Sequence, residues 1–312
     1  MATLEFIVPQ IWDGKSASTF LRGAHNLSGT TIKYARRAES GLTMDGQHLR
    51  TVDPVRAGAV VRVKTDILQC HYVPSAAKVE QLYEDEDLLI FNKPAGMPCH
   101  PSKGHPYDTL ANVFAALPSV QGVTFRAIGR LDKDTTGAVL CAKHAHAAYL
   151  LGNMQKVYKY YLALVPSKLP QPDGSVDAPI ARESADSQRR CVREDGQRAV
   201  THYRTLLAED DVSLIALWLE TGRTHQIRVH MAHIGCPLLG DVLYGGNCQE
   251  MQRHALHCRA MALLNPLTKT PVAVFAHMSD DMSALLASRF SKQQISVALA
   301  QSDAIYQEGY QL

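Results

Sequence analysis

Short apolar runs separated by polar breaks carrying glycine or proline dominate the chain, and most of the runs have strand length. Leu88-Leu89-Ile90-Phe91 stops at Asn92-Lys93-Pro94-Ala95-Gly96, a pattern that predicts a buried strand entering a loop. Strands are predicted over 137–142 and 157–165, with a helix over 144–154 between them. Residues 201–207 and 212–219 read as neighbouring strands joined by the acidic turn Glu209-Asp210-Asp211. A helix is expected over 225–234, strands over 255–263 and 271–276, and a helix over 280–290. Residues 291–312 read as a polar tail with no assigned structure. Strands outnumber helices and several follow one another directly. The expected class is therefore α+β, with a mixed, mainly antiparallel sheet and flanking helices, rather than a doubly wound parallel sheet.

Nearer the start, Ser28-Gly29-Thr30-Thr31 precedes Ile32-Lys33-Tyr34-Ala35-Arg36-Arg37-Ala38, which reads as a capped helix. Lys33, Arg36 and Arg37 stand at i, i+3 and i+4, so they project from one face. Asp45-Gly46 marks a turn and Val60-Val61-Arg62-Val63 a strand. Residues 15–64 hold nine basic side chains against three acidic ones. Pro74-Ser75-Ala76-Ala77 and the acidic cluster at 84–87 then change the texture, which places a linker near 66–80. The chain divides into a small basic α+β unit over 1–70, a larger domain over 81–290 and the tail over 291–312.

With 312 residues, 46% of them hydrophobic and 20% charged, the chain can bury independent cores and is not predominantly disordered. Its 32 Lys plus Arg against 30 Asp plus Glu leave the total near balance, so only the local excess over 15–64 speaks for a polyanionic partner. A solvated helix face would also account for those cations. However, Phe20-Leu21-Arg22, Leu27-Ser28-Gly29-Thr30-Thr31, Gly41-Leu42-Thr43, Asp45-Gly46, Val52-Asp53 and Ala57-Gly58 resemble the alpha-L type RNA-binding module of a ribosomal small-subunit protein. The resemblance implies RNA contacts from Arg22, Lys33, Arg36 and Arg37, of the phosphate kind that positions without reading sequence. No apolar run reaches membrane-spanning length and the first residues lack a signal-peptide pattern, so a cytoplasmic protein without a membrane partner is expected. Seven scattered cysteines without a Cys-x-x-Cys pair predict reduced thiols.

Two segments concentrate chemistry. Gly129-Arg130-Leu131-Asp132-Lys133-Asp134-Thr135-Thr136-Gly137 gathers carboxylates, cations and hydroxyls where a strand begins, although loops of this make-up are often merely solvated turns. Glu220-Thr221-Gly222-Arg223-Thr224-His225-Gln226-Ile227-Arg228-Val229-His230-Met231 packs two arginines and two histidines around a helix start, a natural anion site. Asp132 and Asp134 invite a paired-carboxylate glycosidase reading, but Asp134 reads better as structural or solvated. His254, His257 and Cys258 have only loosely metal-like spacing, and strand alternation turns His257 and Cys258 to opposite faces, so no metal is expected. His225 and His230 read as hydrogen-bonding supports for the helix and its loop.

Arg-Leu-Asp-x-x-Thr-x-Gly at 130–137, Lys-x-Tyr-x-Ala-x-Val at 159–165 and Thr-Gly-Arg-Thr-His-Gln-Ile-Arg-Val-His at 221–230 resemble the RluA-type pseudouridine synthases. Asn92-Lys93-Pro94-Ala95-Gly96-Met97, Gly235-Cys236-Pro237-Leu238-Leu239-Gly240-Asp241 and Leu256-His257-Cys258 support the match over about 88–277. The resemblance implies isomerisation of uridine in RNA, without cofactor or metal. The bond from carbon 1′ to the base nitrogen breaks, the uracil turns, and its carbon 5 joins the ribose. Asp132 matches the catalytic aspartate, whose carboxylate can attack carbon 1′ of the sugar or carbon 6 of the base. A buried carboxylate without a partner would take up a proton, so a cation is needed beside it. Arg228 matches that partner, and arginine can grip a carboxylate with two hydrogen bonds. Tyr161 matches the residue that lies against the base and can assist proton removal from its carbon 5, and Tyr160, by alternation, faces the other way. Arg130 matches the arginine that enters the space left by a flipped nucleotide, and this chain has Gly129 where many relatives have His.

These readings imply an RNA pseudouridine synthase acting on large-subunit ribosomal RNA, with transfer RNA as the other candidate and a monomer as the expected state. Two competing readings remain at this point. One is a non-catalytic RNA-binding or ribosome-assembly factor retaining the fold, and the other is a uridine glycosidase using the same carboxylate.

Overall fold

The computed structural model describes residues 3–65, 72–153, 157–166 and 169–308. The first stretch contains β1 (Thr3–Ile7), α1 (Ala17–Gly23), α2 (Gly29–Arg37), β2 (Leu42–Met44), β3 (Gln47–His48) and β4 (Val60–Lys64). Its strands form an antiparallel sheet in the order β1-β4-β2-β3. Both helices start at a serine: Ser16 Oγ accepts from the Thr19 amide at 3.2 Å and Ser28 Oγ from the Thr31 amide at 3.0 Å. Those bonds satisfy amides that a first helical turn leaves without partners. Phe20, Leu21, Ile32, Ala35, Val61 and Val63 share one core. With Ile32 and Ala35 turned inward, Lys33, Arg36 and Arg37 are left exposed on the other side of α2.

Of the linker expected near 66–80, residues 66–71 lie outside the described residues. Beyond them the chain is already docked on the larger domain, because Asn112 Nδ2 donates to the Val73 carbonyl at 2.8 Å and the Ser75 amide donates to the Asn112 carbonyl at 3.0 Å. The larger domain then runs through β5 (Glu80–Glu84), β6 (Leu88–Lys93), α3 (Leu110–Ala115), β7 (Ala127–Ile128), β8 (Thr136–Ala142), α4 (Ala145–Asn153) and β9 (Tyr158–Val165). It continues with β10 (Asp173–Asp177), β11 (Ile180–Arg182), β12 (Arg190–Val192), β13 (Val200–Ala208), β14 (Ser213–Leu219) and α5 (Gln226–His233). Last come β15 (Leu256–Leu264), β16 (Pro271–Phe275), α6 (Asp280–Arg289) and α7 (Lys292–Glu308).

One ten-stranded sheet follows the order β10-β13-β14-β9-β15-β8-β6-β5, with β16 added to β15 and β7 to β8. Every pairing in it is antiparallel except β15 with β8, so the class is α+β with a mixed, mainly antiparallel sheet. All of β8 is buried, which explains why its sequence is a continuous apolar run rather than an alternating one. Gly137 makes the parallel contact possible. Its φ is +104°, and a Cβ there would lie 2.2 Å from the Cys258 carbonyl oxygen, so no other residue lets β8 and β15 approach so closely. This contact sets the position of the loop that precedes β8.

The sheet has two covered faces. Tyr161, Leu217 and Tyr203 point into a core shared with Ile227 and Met231 of α5. On the opposite face Tyr160, Leu162 and Ala216 meet Met282 and Leu286 of α6 and Ala298 and Tyr306 of α7. The helix α7 occupies most of what reads in the sequence as a polar tail. Ile295, Ala298, Leu299, Ser302, Ile305 and Tyr306 do follow helical spacing, but glutamines and a serine dilute the stripe. Contact with the sheet makes the helix worth forming, and Arg259 holds it by an ion pair to Asp303 at 3.1 Å. The short elements β1, β5, β10, β11, β12, α1 and α3 are likewise absent from the sequence-based assignment, being too brief to show a period.

Candidate active site

The loop from Gly129 to Thr135 crosses the end of the sheet between β7 and β8, and its backbone is gripped from three sides. Cys99 Sγ donates to the Leu131 carbonyl at 3.5 Å, Lys93 Nζ to the Lys133 carbonyl at 2.8 Å and Arg253 Nη1 to the Asp134 carbonyl at 2.9 Å. Lys93 is wholly buried and also donates to the carbonyls of Pro94 and Met97. Burial lowers its pKa to about 8, and its three carbonyl acceptors are what make the buried ammonium tolerable. The hydroxyls of Thr135 and Thr136 bond to His254 Nε2 at 2.7 Å and His257 Nδ1 at 2.8 Å. Between these anchors the Asp132 carboxylate is left 28% exposed.

Arg228, from the first turn of α5, reaches it with Nη1 at 3.1 Å from Asp132 Oδ2. The two-bond grip, however, goes elsewhere: Nε and Nη2 each lie 2.7 Å from an oxygen of Asp241, which is 1% exposed. Burial works against the charge on Arg228, but Asp241 and then Asp132 outweigh it, and its pKa is raised. One guanidinium is thus clamped by a buried carboxylate and offers its remaining edge to the exposed one. Tyr244 lies under that guanidinium at 5.0 Å from its ring centre. The Tyr244 hydroxyl accepts from the Arg190 amide at 2.9 Å and bonds His225 Nδ1 at 2.8 Å. Donation from that hydroxyl puts the His225 proton on Nε2, which faces Asp132 Oδ2 at 3.7 Å. Burial lowers the His225 pKa, so the ring is neutral near pH 7.

Alternation along β9 sends Tyr161 to the α5 face and Tyr160 to the α7 face. Tyr161 is 7% exposed, and burial together with a hydrogen bond to the Cys258 thiol pushes its phenol well above the ordinary range. Lys159 donates to the Gly129 carbonyl at 2.5 Å and to that of Ile128 at 3.3 Å. A Cβ on Gly129 would meet Lys159 Nζ at 2.4 Å, so the missing side chain at 129 is the room that this ammonium takes. Arg130 is exposed at the rim.

Asp132, Tyr161 and Arg130 therefore line one cleft of 1690 Å³, and Arg228 lies buried behind Asp132, bonded to it. Arg22, Lys33, Arg36 and Arg37 belong to the amino-terminal stretch with its own sheet and core, where the Arg22 guanidinium lies over Gly29 at the start of α2. Of the weaker sequence candidates, His230 bonds the Thr201 hydroxyl and the Ala178 carbonyl, each at 2.9 Å. Among the described residues no group of three or more His, Cys, Asp or Glu is arranged to hold a metal. Asp241, Tyr244, Lys93 and Lys159 escape a reading by residue type. Asp241, Lys93 and Lys159 sit inside recognisable strings, but nothing in their spacing says which side chains they meet.

Burial lowers the pKa of His254 to about 2 and that of His257 to about 4. An unfolded chain protonates histidine near pH 6.5. Acidification from pH 7 to 5 therefore favours the unfolded state, and stability should fall by about 2 kcal/mol per ring. Urea midpoints at the two pH values check this, and identical midpoints would contradict the neutral, buried state of both rings.

Arg130, Lys133, Lys159, Arg198, Arg204 and Arg223 line the cleft against Asp132 and Glu220. A groove of that charge, with a carboxylate and a flat ring at its floor, suits an enzyme that acts on a polyanionic chain. The family described as RNA pseudouridylate synthase matches residues 87–233. An uncharacterized RNA pseudouridine synthase of Bacillus subtilis (strain 168), YjbO, is 40% identical over 256 residues, covering 78% of this chain and 89% of its own length. A protein of Xanthomonas campestris named ribosomal large subunit pseudouridine synthase D is 36% identical over 270 residues, covering 78% and 80%. Human RNA pseudouridylate synthase domain containing 1 superposes with a TM-score of 0.55 at 25% identity, over 72% of this chain and 96% of that one. The chain belongs to the RNA pseudouridylate synthase family, and is an isomerase acting on RNA. No helix among the described residues is long and apolar enough to cross a membrane.

Proposed function

We propose that this isomerase converts uridines of large-subunit ribosomal RNA to pseudouridine, with Asp132 as the nucleophile. The observation that carries the reading is the Asp132–Arg228–Asp241 chain of carboxylate, guanidinium and carboxylate at the floor of a cation-lined cleft. Arg228 balances the charge of Asp132 and aims it, while Asp241 holds Arg228. Attack by Asp132 on carbon 1′ of the sugar or carbon 6 of the base splits one difficult displacement into easier steps. Tyr161 forms the floor beneath the base. Its raised pKa keeps the phenol protonated, which suits a floor or a hydrogen-bond donor better than a base. Arg130 enters the RNA where the target nucleotide has swung out, offsetting part of the unstacking cost. The relative named for the large ribosomal subunit supports the choice of ribosomal RNA. A pseudouridine map of cellular RNA with and without the gene tests it: specific large-subunit sites should vanish, whereas an unchanged map would favour a non-catalytic assembly factor.

The amino-terminal unit acts as the RNA-docking module. Exposed Lys33, Arg36 and Arg37 on α2, with Arg22 beside its start, place four cations on a small surface. Replacing all four by alanine should weaken RNA binding and lower the slope of log affinity against log salt by up to about 3. The chemical step at saturating RNA should be retained. An unaltered slope in filter-binding titrations would refute the role.

A further inference from the structure

The cleft does not end at the candidate catalytic residues. It continues around the end of the sheet to the opposite face, where three rings stand on three adjacent strands. Tyr160 on β9 pairs across to Trp218 on β14, and Trp218 pairs across to His202 on β13. The rings are nearly parallel. Tyr160 and Trp218 have centres 6.3 Å apart at 5°, and Trp218 and His202 have centres 5.5 Å apart at 20°. One end of this row is closed, because Tyr160 is buried and Tyr306 of α7 packs edge-on against it at 6.0 Å. The other end is open. On the next strand, β10, the residue paired with His202 is Ser175, which is small and exposed. The His202 side chain remains 27% accessible.

Charge surrounds the open end. Arg204 lies two residues along β13 from His202, hence on the same face, and is exposed. Glu220 accepts from Arg198 Nη2 at 2.8 Å and lies 3.1 Å from His202 Nε2, which fixes the plane of the imidazole. The chemistry assigned to Asp132 uses none of these groups, yet all except Ser175 line the same cleft.

We propose that the Tyr160–Trp218–His202 row is a stacking platform for an unpaired base of the RNA strand flanking the target uridine, with the adjoining phosphates lying along Arg204 and Arg198. The proposal rests on the pseudouridine synthase reading and extends it to a second contact site. Surfaces that hold single strands combine rings for base faces with cations for the backbone, and this face supplies both. Swinging the target nucleotide out deprives its neighbours of a stacking partner, and an aromatic row continuous with the reaction cleft replaces that partner. A protein partner would need a broad apolar rim, whereas arginines and a glutamate border these rings.

The chain has two tryptophans, and Trp218 is flanked on both faces by Tyr160 and His202, so Trp12→Phe and Trp218→Phe combined with His202→Trp put the sole reporter at the open end of the row. Titration with oligouridylate of about 12 nucleotides should quench its emission. An abasic strand of equal length should bind, by fluorescence anisotropy of an end label, with little quenching. In steady-state isomerisation of a ribosomal RNA transcript, His202→Ala and Arg204→Ala should each raise KM roughly 10-fold with kcat unchanged. Binding of oligouridylate without quenching overturns the platform, as does an unchanged KM in both variants or a loss confined to kcat. Failure of the unsubstituted protein to form pseudouridine in any RNA would instead overturn the enzymatic reading, and the isomerisation assay separates the two results.

Discussion

Replacing Asp132 with Asn is expected to slow pseudouridine formation by roughly 10⁴-fold or more while leaving RNA affinity nearly intact. The amide keeps the shape of the carboxylate and can still accept from Arg228 Nη1, which now lies 3.1 Å from Asp132 Oδ2. What it loses is the negative charge and with it the nucleophile. The loop should keep its place, since Cys99, Lys93 and Arg253 hold it through backbone carbonyls rather than through the carboxylate. Removing a charge of the same sign as phosphate cannot weaken the attraction for RNA. Nucleoside analysis of digested RNA by mass spectrometry, with filter binding alongside, checks both halves. Undiminished conversion would remove Asp132 from the chemistry. Free uracil released by the unsubstituted protein would make it a glycosidase, because isomerisation leaves the mass of the RNA unchanged.

Asp241→Ala is expected to cost about 3–5 kcal/mol of stability, because it leaves the Arg228 guanidinium buried without its main partner. Asp241 supplies two of the three hydrogen bonds that orient this guanidinium toward carboxylates, and it is itself shut away from solvent. Freed from it, Arg228 can rotate and take Asp132 with two bonds, masking the oxygen meant for the substrate. At a temperature where the variant stays folded, kcat should drop by about 100-fold. KM should stay within a small factor, since Asp241 lies behind Arg228 rather than in the cleft. Asp241→Asn, which retains the shape and one acceptor oxygen, should fall between the two. Urea unfolding and single-turnover kinetics test the pair of effects. Normal stability with full activity would mean that something else aims Arg228.

The strands β6, β8, β9, β13, β14, β15 and β16 were legible as runs or alternations of apolar residues because each is long enough to show its burial pattern. The start of α2 was legible because a serine cap is a local device, settled within four residues. By contrast α7 and the short strands β10 to β12 draw their stability from surfaces elsewhere in the chain. Their own sequences therefore carry little sign of them, and α7 reads as a tail until Tyr160 and Phe275 are seen beneath Tyr306.

The candidate site divides along the same line. Sequence alone determined the α+β class, the basic amino-terminal helix, and the residues Arg130, Asp132, Tyr161 and Arg228 as the group to examine, since strings of residues in a characteristic order survive without knowledge of contacts. Only the tertiary structure decided how Arg228 divides its bonds between Asp132 and Asp241, that Lys159 fills the space beside Gly129, and that Tyr244 lies under Arg228 and bonds His225. The physical reason is distance along the chain. Asp132 and Arg228 are 96 positions apart and Thr135 and His254 are 119, and the direction in which a guanidinium spends its hydrogen bonds is set by whichever acceptors the packed sheet brings within hydrogen-bonding distance, not by its neighbours in sequence.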